Sequence, residues 1–212
     1  GCQYHWINTG YHNFDDFLAS LNSKRRKEIR RERRDLASSL EFEVLEGSEI
    51  RAAHWSVFYS FYCNTFDRKW GTPRLTEAYF NHLSASATPI PILFLAKTNG
   101  DYIAGAFALR GPDALFGRHW GCRTFVKHLH FELCYYRTIE YCIEHGLRRL
   151  DAGAQGEHKI PRGFTAQRTW SLHWIREARF RRAVADFCRR ERDHIDHHIV
   201  AVESHSAYRA HE

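Results

Sequence analysis

The spacing of hydrophobic and polar residues predicts mostly helices in the first ninety residues. Apolar residues recur there at intervals of three and four, as in amphipathic helices, and they alternate with polar residues in one short segment, as in a half-buried strand. Gly71 and Pro73 interrupt the pattern and indicate a loop over residues 68–74. The predicted elements are a helix over residues 14–40, a strand over Glu41–Leu45, a helix over residues 49–66 and a helix over Thr76–Ala85.

The rest of the chain predicts short strands followed by helices. Asn99-Gly100 is a strong signal for a two-residue hairpin, and Gly146 is placed to end a helix in the left-handed conformation. The predicted elements are strands over Ile92–Lys97, Tyr102–Leu109, Ala114–Trp120, Leu147–Ala152 and Thr169–Ile175, a helix over His128–His145, and a helix from Glu177 with an apolar seam of Phe180, Val184, Phe187, Ile195 and Ile199. This order predicts a mixed topology that includes a three-strand antiparallel meander.

Composition limits the class of protein. The 212 residues are 43% hydrophobic and 15% aromatic, which is enough for a buried core, so an intrinsically disordered chain is excluded. No apolar run approaches the roughly 18 residues that cross a bilayer, and the first residues lack the basic and apolar parts of a signal peptide. The six cysteines include no CxxC pair, so we expect buried, reduced thiols in a cytoplasmic protein.

The excess positive charge is concentrated in one segment. The net charge of the chain is +6, and Lys24–Arg34 alone carries eight basic residues and two glutamates, which is also +6. On a helix, four of the basic side chains form one stripe: Lys24, Lys27, Arg31 and Arg34. Such a stripe is typical of a surface that binds RNA phosphates, a lipid headgroup or a nucleotide. A solvated helix that keeps the protein soluble is the alternative.

The helix segment LHFELCYY carries polar residues among bulky ones. Helical spacing places His128, Glu132 and either Tyr135 or Tyr136 on one face. A glutamate among aromatic side chains has a raised pKa and can act as a general base, and a tyrosine one turn away can protonate a leaving group. A buried hydrogen bond that only stabilises the core is the alternative.

The loop GAQGEHKIPRGF, residues 153–164, follows a predicted strand, and such loops often carry ligand-binding groups. Its glycines allow close approach of the backbone to a ligand. Its polar side chains are Gln155, Glu157, His158, Lys159 and Arg162. Neither GxGxxG nor a Walker loop is present, so we expect a site for a phosphate or carboxylate; a polar surface loop is the alternative.

Two further groups are weaker candidates. In FGRHWG, strand alternation places Arg118 and Trp120 on one face and His119 on the other, which also fits an ordinary edge strand. His194 and His198 are four residues apart on the last helix. Because the sequence fixes no further ligand for them, we expect no metal site.

Five segments occur in a particular order: LNSKRRKEIRRERR, FYCNTFDRKWG, GRHWGC, LHFELCYY and GAQGEHKIPRGF. In that order they resemble the FemAB-like peptidoglycan biosynthesis/recognition family of predicted N-acyltransferases, which is assigned to the GNAT superfamily. The resemblance covers nearly the whole chain, and it implies a GNAT-like α/β (α+β) fold with a mixed, mainly antiparallel sheet and helices on both faces. We expect one domain, with a basic helical element (1–40), a core (41–176) and a terminal helix (177–212), from the carboxyl-terminal part of a longer protein.

The resemblance implies transfer of an acyl or aminoacyl group to an amine, with a small-molecule or lipid-linked acceptor. By position, Glu132 is the expected base, Glu157 the second candidate for that role, and Tyr135 the acid. Donor or acceptor binding is expected from Arg118, Trp120, Gln155, His158, Lys159 and Arg162, with His158 also at the catalytic centre.

The acyl donor is left open. GNAT enzymes bind the coenzyme A pyrophosphate through a [QR]xxGx[GA] loop, whereas this chain has GCRTFVKHLHFE at that place. Fem-type ligases also lack the loop and use aminoacyl-tRNA, whose phosphates suit the basic segment. We therefore expect acyl-coenzyme A or aminoacyl-tRNA as donor and no metal. A non-catalytic module that recognises a cell-wall precursor or nucleic acid is the alternative.

Overall fold

A computed structural model describes residues 1–67, 71–84 and 88–209, without the side chain of Glu157. The strands of this part form one sheet in the order β2-β3-β4-β5-β6-β1-β7. They are β1 (Cys2–Ile7), β2 (Glu41–Glu46), β3 (Ile90–Thr98), β4 (Asp101–Arg110), β5 (Ala114–Cys122), β6 (Arg149–Asp151) and β7 (Thr165–Arg168). The helices are α1 (Phe14–Ser20), α2 (Ser23–Ala37), α3 (Ala52–Asp67), α4 (Glu77–Leu83), α5 (Leu129–Phe131), α6 (Arg137–Glu144) and α7 (Ala178–Glu203). A π-helical turn (Glu132–Tyr136) joins α5 to α6, and a 3₁₀ turn (Glu157–Arg162) precedes β7.

The sheet is antiparallel at every described pairing except that of β5 with β6. This parallel pairing joins Ala114–Phe116 to Arg149–Asp151 and then ends. The second half of β5 therefore separates from the loop that follows β6, and a gap opens in the sheet.

Helices cover both faces of the sheet, as predicted. Along β3, Phe94 packs in the core with α1, α2 and α6, whereas Leu93 and Leu95 pack with α3 and α4. All three side chains are fully buried. The near-continuous apolar run of β3 follows from this burial on two sides.

Local signals predict the central strands correctly. Asn99 and Gly100 have φ angles of 51° and 84°, as a two-residue hairpin of type I′ requires, and Gly146, at φ 63°, ends the helix before it. The predicted loop over 68–74 and the predicted helix end at Ala85 fall partly outside the described residues, at 68–70 and 85.

Two sequence-based expectations are wrong. The helix predicted over 14–40 is two helices, because the chain turns at Leu21 and the Asn22 side chain caps α2 by accepting a hydrogen bond from the backbone of Arg25. The strand predicted over Thr169–Ile175 is absent from the described fold: β7 ends at Arg168, opposite the first residue of β1, so the next residues have no strand to pair with. The helix predicted from Glu177 is present as α7; Ile199 of its apolar seam packs against the core, whereas Phe180 and Phe187 are about 60% exposed.

The described helices include none long and apolar enough to span a membrane. All six cysteines are free thiols, but only Cys122 and Cys142 are fully buried, and the other four are partly exposed.

Candidate active site

A cavity of about 560 Å³ occupies the gap between β5 and β6. Its walls are β4, the second half of β5, the π turn, the loop of residues 152–156 and the 3₁₀ turn. Phe94 and Tyr135 border it on the α6 side of the sheet, and Phe107 and His119 border it on the α3 side. The cavity is therefore bordered by side chains from both faces of the sheet.

The strand β5 has a bulge at Arg118. Phe107 pairs with His119 and Ala108 pairs with Gly117, so the pairing skips Arg118. Bulges redirect the backbone and are common next to active sites. Here the bulge lies on the cavity wall, where the pairing with β6 has already ended.

The predicted helix over His128–His145 is interrupted by the π turn, and the side chains after the turn point in directions that a regular α-helix would not give them. Tyr136 and Glu132 both contact α2, through Glu32 and Arg33 respectively. Tyr135 points to the other side and borders the cavity. Of the two alternatives expected for this face, Tyr136 lies with His128 and Glu132 against α2, and Tyr135 does not.

Glu132 lies outside the cavity. It is 2% exposed and forms ion pairs of 3.1 Å with both Arg33 and Arg137. Burial raises the pKa of Glu132, and the two guanidinium groups oppose that shift. The carboxylate expected to be the base thus holds α2 against the π turn, away from the place where a ligand can bind.

Tyr135 and His158 meet inside the cavity. The Tyr135 hydroxyl lies 2.8 Å from Nε2 of His158. Burial raises the pKa of Tyr135, whereas burial and the positive charges of Arg162 and Lys159 lower the pKa of His158. At neutral pH the phenol is therefore protonated and the imidazole is neutral.

Lys159 borders the cavity, but its ammonium group is directed into the protein. The side chain is 4% exposed and donates to the backbone carbonyls of Ala152, Gly153 and Gln155. These bonds match the three donors of an ammonium group, so Lys159 fixes the loop of residues 152–156. Burial lowers its pKa, against the attraction of Asp151.

Arg162 is also turned inward. Its side chain is buried and pairs with Glu32 at 2.8 Å, and Arg162 is not among the described residues that line the cavity. Of the other expected binding residues, Arg118, Trp120 and Gln155 border the cavity. The side chain of Glu157, the second base candidate, lies outside the described part.

The basic stripe is exposed, and it is separate from the cavity. Lys24, Lys27, Arg31 and Arg34 all lie on the solvent side of α2, whereas Glu32 on the opposite side is buried. The basic stripe and the candidate residues of the cavity thus lie on different surfaces of the protein.

Two histidines that the sequence-based expectations left out of the site border the cavity. His130 packs against Trp120, with ring centres 5.3 Å apart, and lies 6.0 Å from the ring of His158. His119 packs against Tyr62 of α3, on the face that strand alternation predicts for it. His130 lies inside the segment LHFELCYY, so the polar residues among bulky ones in that segment were the signal that could have identified it as a site residue.

No group of three or more described His, Cys, Asp or Glu side chains is placed to hold a metal ion. His198 contacts the Tyr4 hydroxyl at 3.2 Å. Gly121 lies in the segment that replaces the coenzyme A loop of GNAT enzymes. A glycine is needed there for packing, because a Cβ would collide with the carbonyl oxygen of Phe61 in α3.

The sequence matches the model of the FemAB-like family, described as peptidoglycan biosynthesis/recognition, over residues 1–210. The chain belongs to this family. The family inferred from the five segments is therefore confirmed. No curated protein matches the sequence significantly.

Solved structures show the fold of this FemAB-like chain. FemX is similar with a TM-score of 0.60 and 14% identity, over 78% of this chain and 59% of that chain. L-PGS from Bacillus licheniformis is similar with a TM-score of 0.51 and 11% identity, over 71% of this chain and 45% of that chain. The chain thus spans less than two thirds of the length of either structure. These likenesses and the sheet order confirm the predicted α/β fold with a mixed, mainly antiparallel sheet and helices on both faces.

Proposed function

We propose that this FemAB-like chain transfers an acyl or aminoacyl group to an amine in the gap between β5 and β6. The observation that carries the proposal is the Tyr135–His158 pair, which meets in a cavity bordered by side chains from both faces of the sheet. Amide formation from an activated acyl group needs a base for the amine and an acid for the leaving group, and the pair supplies one of each.

The proton path uses the tautomer of His158 that carries its proton on Nε2. Nε2 then donates to the Tyr135 hydroxyl, and Nδ1 is an acceptor. The amine attacks the acyl carbonyl and forms the C–N bond, and Nδ1 takes the amine proton. The C–S or C–O bond to the leaving group breaks as Tyr135 protonates the leaving sulfur or oxygen. Nε2 passes its proton to the phenolate, which leaves the imidazole neutral with its proton on Nδ1, and proton exchange with solvent at the ring nitrogens restores the starting tautomer.

The acyl oxygen is best placed at the bulge of β5. Around Arg118, β5 has lost its pairing with β6, so backbone N–H groups on that edge are suited to stabilise the oxyanion. Trp120 and Gln155 offer a ring face and an amide to the substrates. The acceptor is a small-molecule or lipid-linked amine, and the donor is acyl-coenzyme A or an aminoacyl-tRNA.

The test is a transfer assay with labelled acetyl-coenzyme A or charged tRNA as donor, and a panel of amines that includes lipid-linked peptidoglycan precursors. One donor should yield an amide product. Tyr135→Phe and His158→Asn should each lower turnover by roughly 100-fold or more, as loss of a general acid or base does. Tyr79→Phe, on α4, is the matched control. Turnover within tenfold of wild type in both cavity variants would contradict the proposal.

Recognition without catalysis is the second candidate, and the exposed stripe favours it. The described ion pairs of basic residues on α2 involve Arg25, Arg30 and Arg33, so these charges are balanced within the fold. The stripe residues face solvent and are suited to tRNA phosphates or a cell-wall precursor. Salt-sensitive binding of such a ligand, with no transfer to any amine, would support this candidate.

A further inference from the structure

Glu32 is a buried carboxylate on the basic helix α2. It is 3% exposed, and Nη2 of Arg162 donates to its two oxygens at 2.8 and 3.1 Å. The Tyr136 hydroxyl also donates to it. A buried charge is stable only when it is paired and hydrogen-bonded, and here the pairing cation comes from the turn beside the cavity rather than from α2 itself.

The other two nitrogens of Arg162 donate to the 3₁₀ turn and to the π turn. Nη1 donates to the backbone carbonyl of His158 at 2.8 Å, and Nε donates to the Tyr136 hydroxyl at 2.9 Å. Its guanidinium carbon lies 3.5 Å from the centre of the Phe131 ring. The guanidinium group is therefore held in one orientation by contacts on all of its nitrogens and on one face.

Phe131 connects Arg162 to Tyr135, the other member of the Tyr135–His158 pair. Its ring is nearly parallel to that of Tyr135, at 19° with centres 6.0 Å apart, and lies 5.8 Å from the ring of His158. Arg162 thus touches the backbone of His158 directly and Tyr135 through Phe131. The guanidinium group is therefore in contact with both members of the pair, directly or through one ring.

We propose that Glu32 is a positioning residue for the Tyr135–His158 pair and acts through Arg162. The expected loss of turnover rests on the proposed function, whereas the expected misalignment of the two side chains does not. Without its carboxylate partner, the buried guanidinium group lacks charge compensation and turns toward solvent. The His158 carbonyl and the Phe131 ring then lose their contact, and the pair loses its alignment.

The test compares Glu32→Gln with Glu28→Gln, the same change on the same helix in a partly exposed ion pair with Arg25. The readouts are the ¹³Cε1 resonance of His158, assigned by its loss in His158→Asn, together with kcat and KM. Glu32→Gln should shift or broaden that resonance and lower kcat roughly tenfold with KM within about twofold, as a small misplacement of reacting groups does. Glu28→Gln should change neither.

Tyr136→Phe covers the case in which Glu32→Gln does not fold. It keeps the Glu32–Arg162 pair and removes only the hydroxyl, so the same resonance should shift by a smaller amount. An unchanged His158 resonance in folded Glu32→Gln, or in Tyr136→Phe if the first variant is unfolded, overturns the proposal. If the wild-type chain transfers no acyl group, the proposed function fails, while the resonance still tests the positioning role.

Discussion

The Tyr135 hydroxyl lies 2.8 Å from Nε2 of His158, although 23 positions separate the two residues along the chain. Each side of this contact depends on irregular backbone. The π turn directs Tyr135 away from α2 and into the gap, and Gly156, at φ 99°, lets the imidazole lie against the chain. The pair is therefore sensitive to changes that leave both side chains intact.

The pH dependence of transfer should reflect this pair. The neutral imidazole is the active form, and its pKa is lowered from 6.5 by burial and by Arg162 and Lys159, so kcat/KM should rise with pH through a midpoint below 6.5. The pKa of Tyr135 is raised above 10, so no decline is expected up to that pH. The measurement is kcat/KM from about pH 5 to pH 10, and an acid midpoint at or above 6.5 would contradict the assignment of His158 as base.

Alanine at Gly156 should impair catalysis more than alanine at Gly153. Both glycines have positive φ, at 99° and 78°, so both substitutions should destabilise the fold by about 1–3 kcal/mol. Only at Gly156 would the new Cβ collide with the His158 ring, since nothing lies within 4 Å at Gly153. We expect a roughly tenfold lower kcat for Gly156→Ala alone. Urea denaturation and kcat are the measurements, and equal losses of kcat would argue against the collision.

Donor binding should change the fluorescence of Trp120. This ring borders the cavity and packs against His130, whereas Trp170 is 73% exposed elsewhere. In a titration with acetyl-coenzyme A, we expect saturable quenching that Trp120→Phe removes and Trp170→Phe retains. Absence of quenching up to millimolar ligand would exclude acetyl-coenzyme A and leave aminoacyl-tRNA to be tested.

The stripe on α2 should dominate the salt dependence of tRNA binding. Replacing its four basic residues with glutamine should reduce the slope of log K against log salt by about 3, because each phosphate contact contributes roughly 0.7. The matched control removes four arginines from α7: Arg179, Arg181, Arg182 and Arg190. An equal reduction in both variants would mean that tRNA responds to net charge and not to the stripe.

The meander was predictable because its signals are local. Asn99-Gly100 and the apolar runs beside it specify a hairpin without information from the rest of the chain. The strand β1 was missed because its partners, β6 and β7, lie at the opposite end of the sequence. Beyond Arg168 the alternation continues through Trp170, Leu172 and Trp174, but a strand forms only where a partner exists, and β1 begins opposite Arg168.

For the site, the sequence located the loop and the helix but not the direction of their side chains. Residue type indicates that Lys159 and Arg162 can bind anions. Their burial against backbone carbonyls and Glu32 depends on contacts far apart in the chain. The role expected for Glu132 assumed a regular helix, and no spacing rule predicts the π turn that separates it from Tyr135.

The position of β1 has a consequence for synthesis. His5 pairs with Asp151, and the backbone N–H of Tyr4 donates to the carbonyl of Gly153 in the cavity wall, so β1 completes a wall made of segments that leave the ribosome after it. Until then its strand edges stay unpaired, and such edges are prone to aggregate. Folding during translation should therefore form the β3–β5 meander early and the gap between β5 and β6 last, when β1 pairs with β6 and β7.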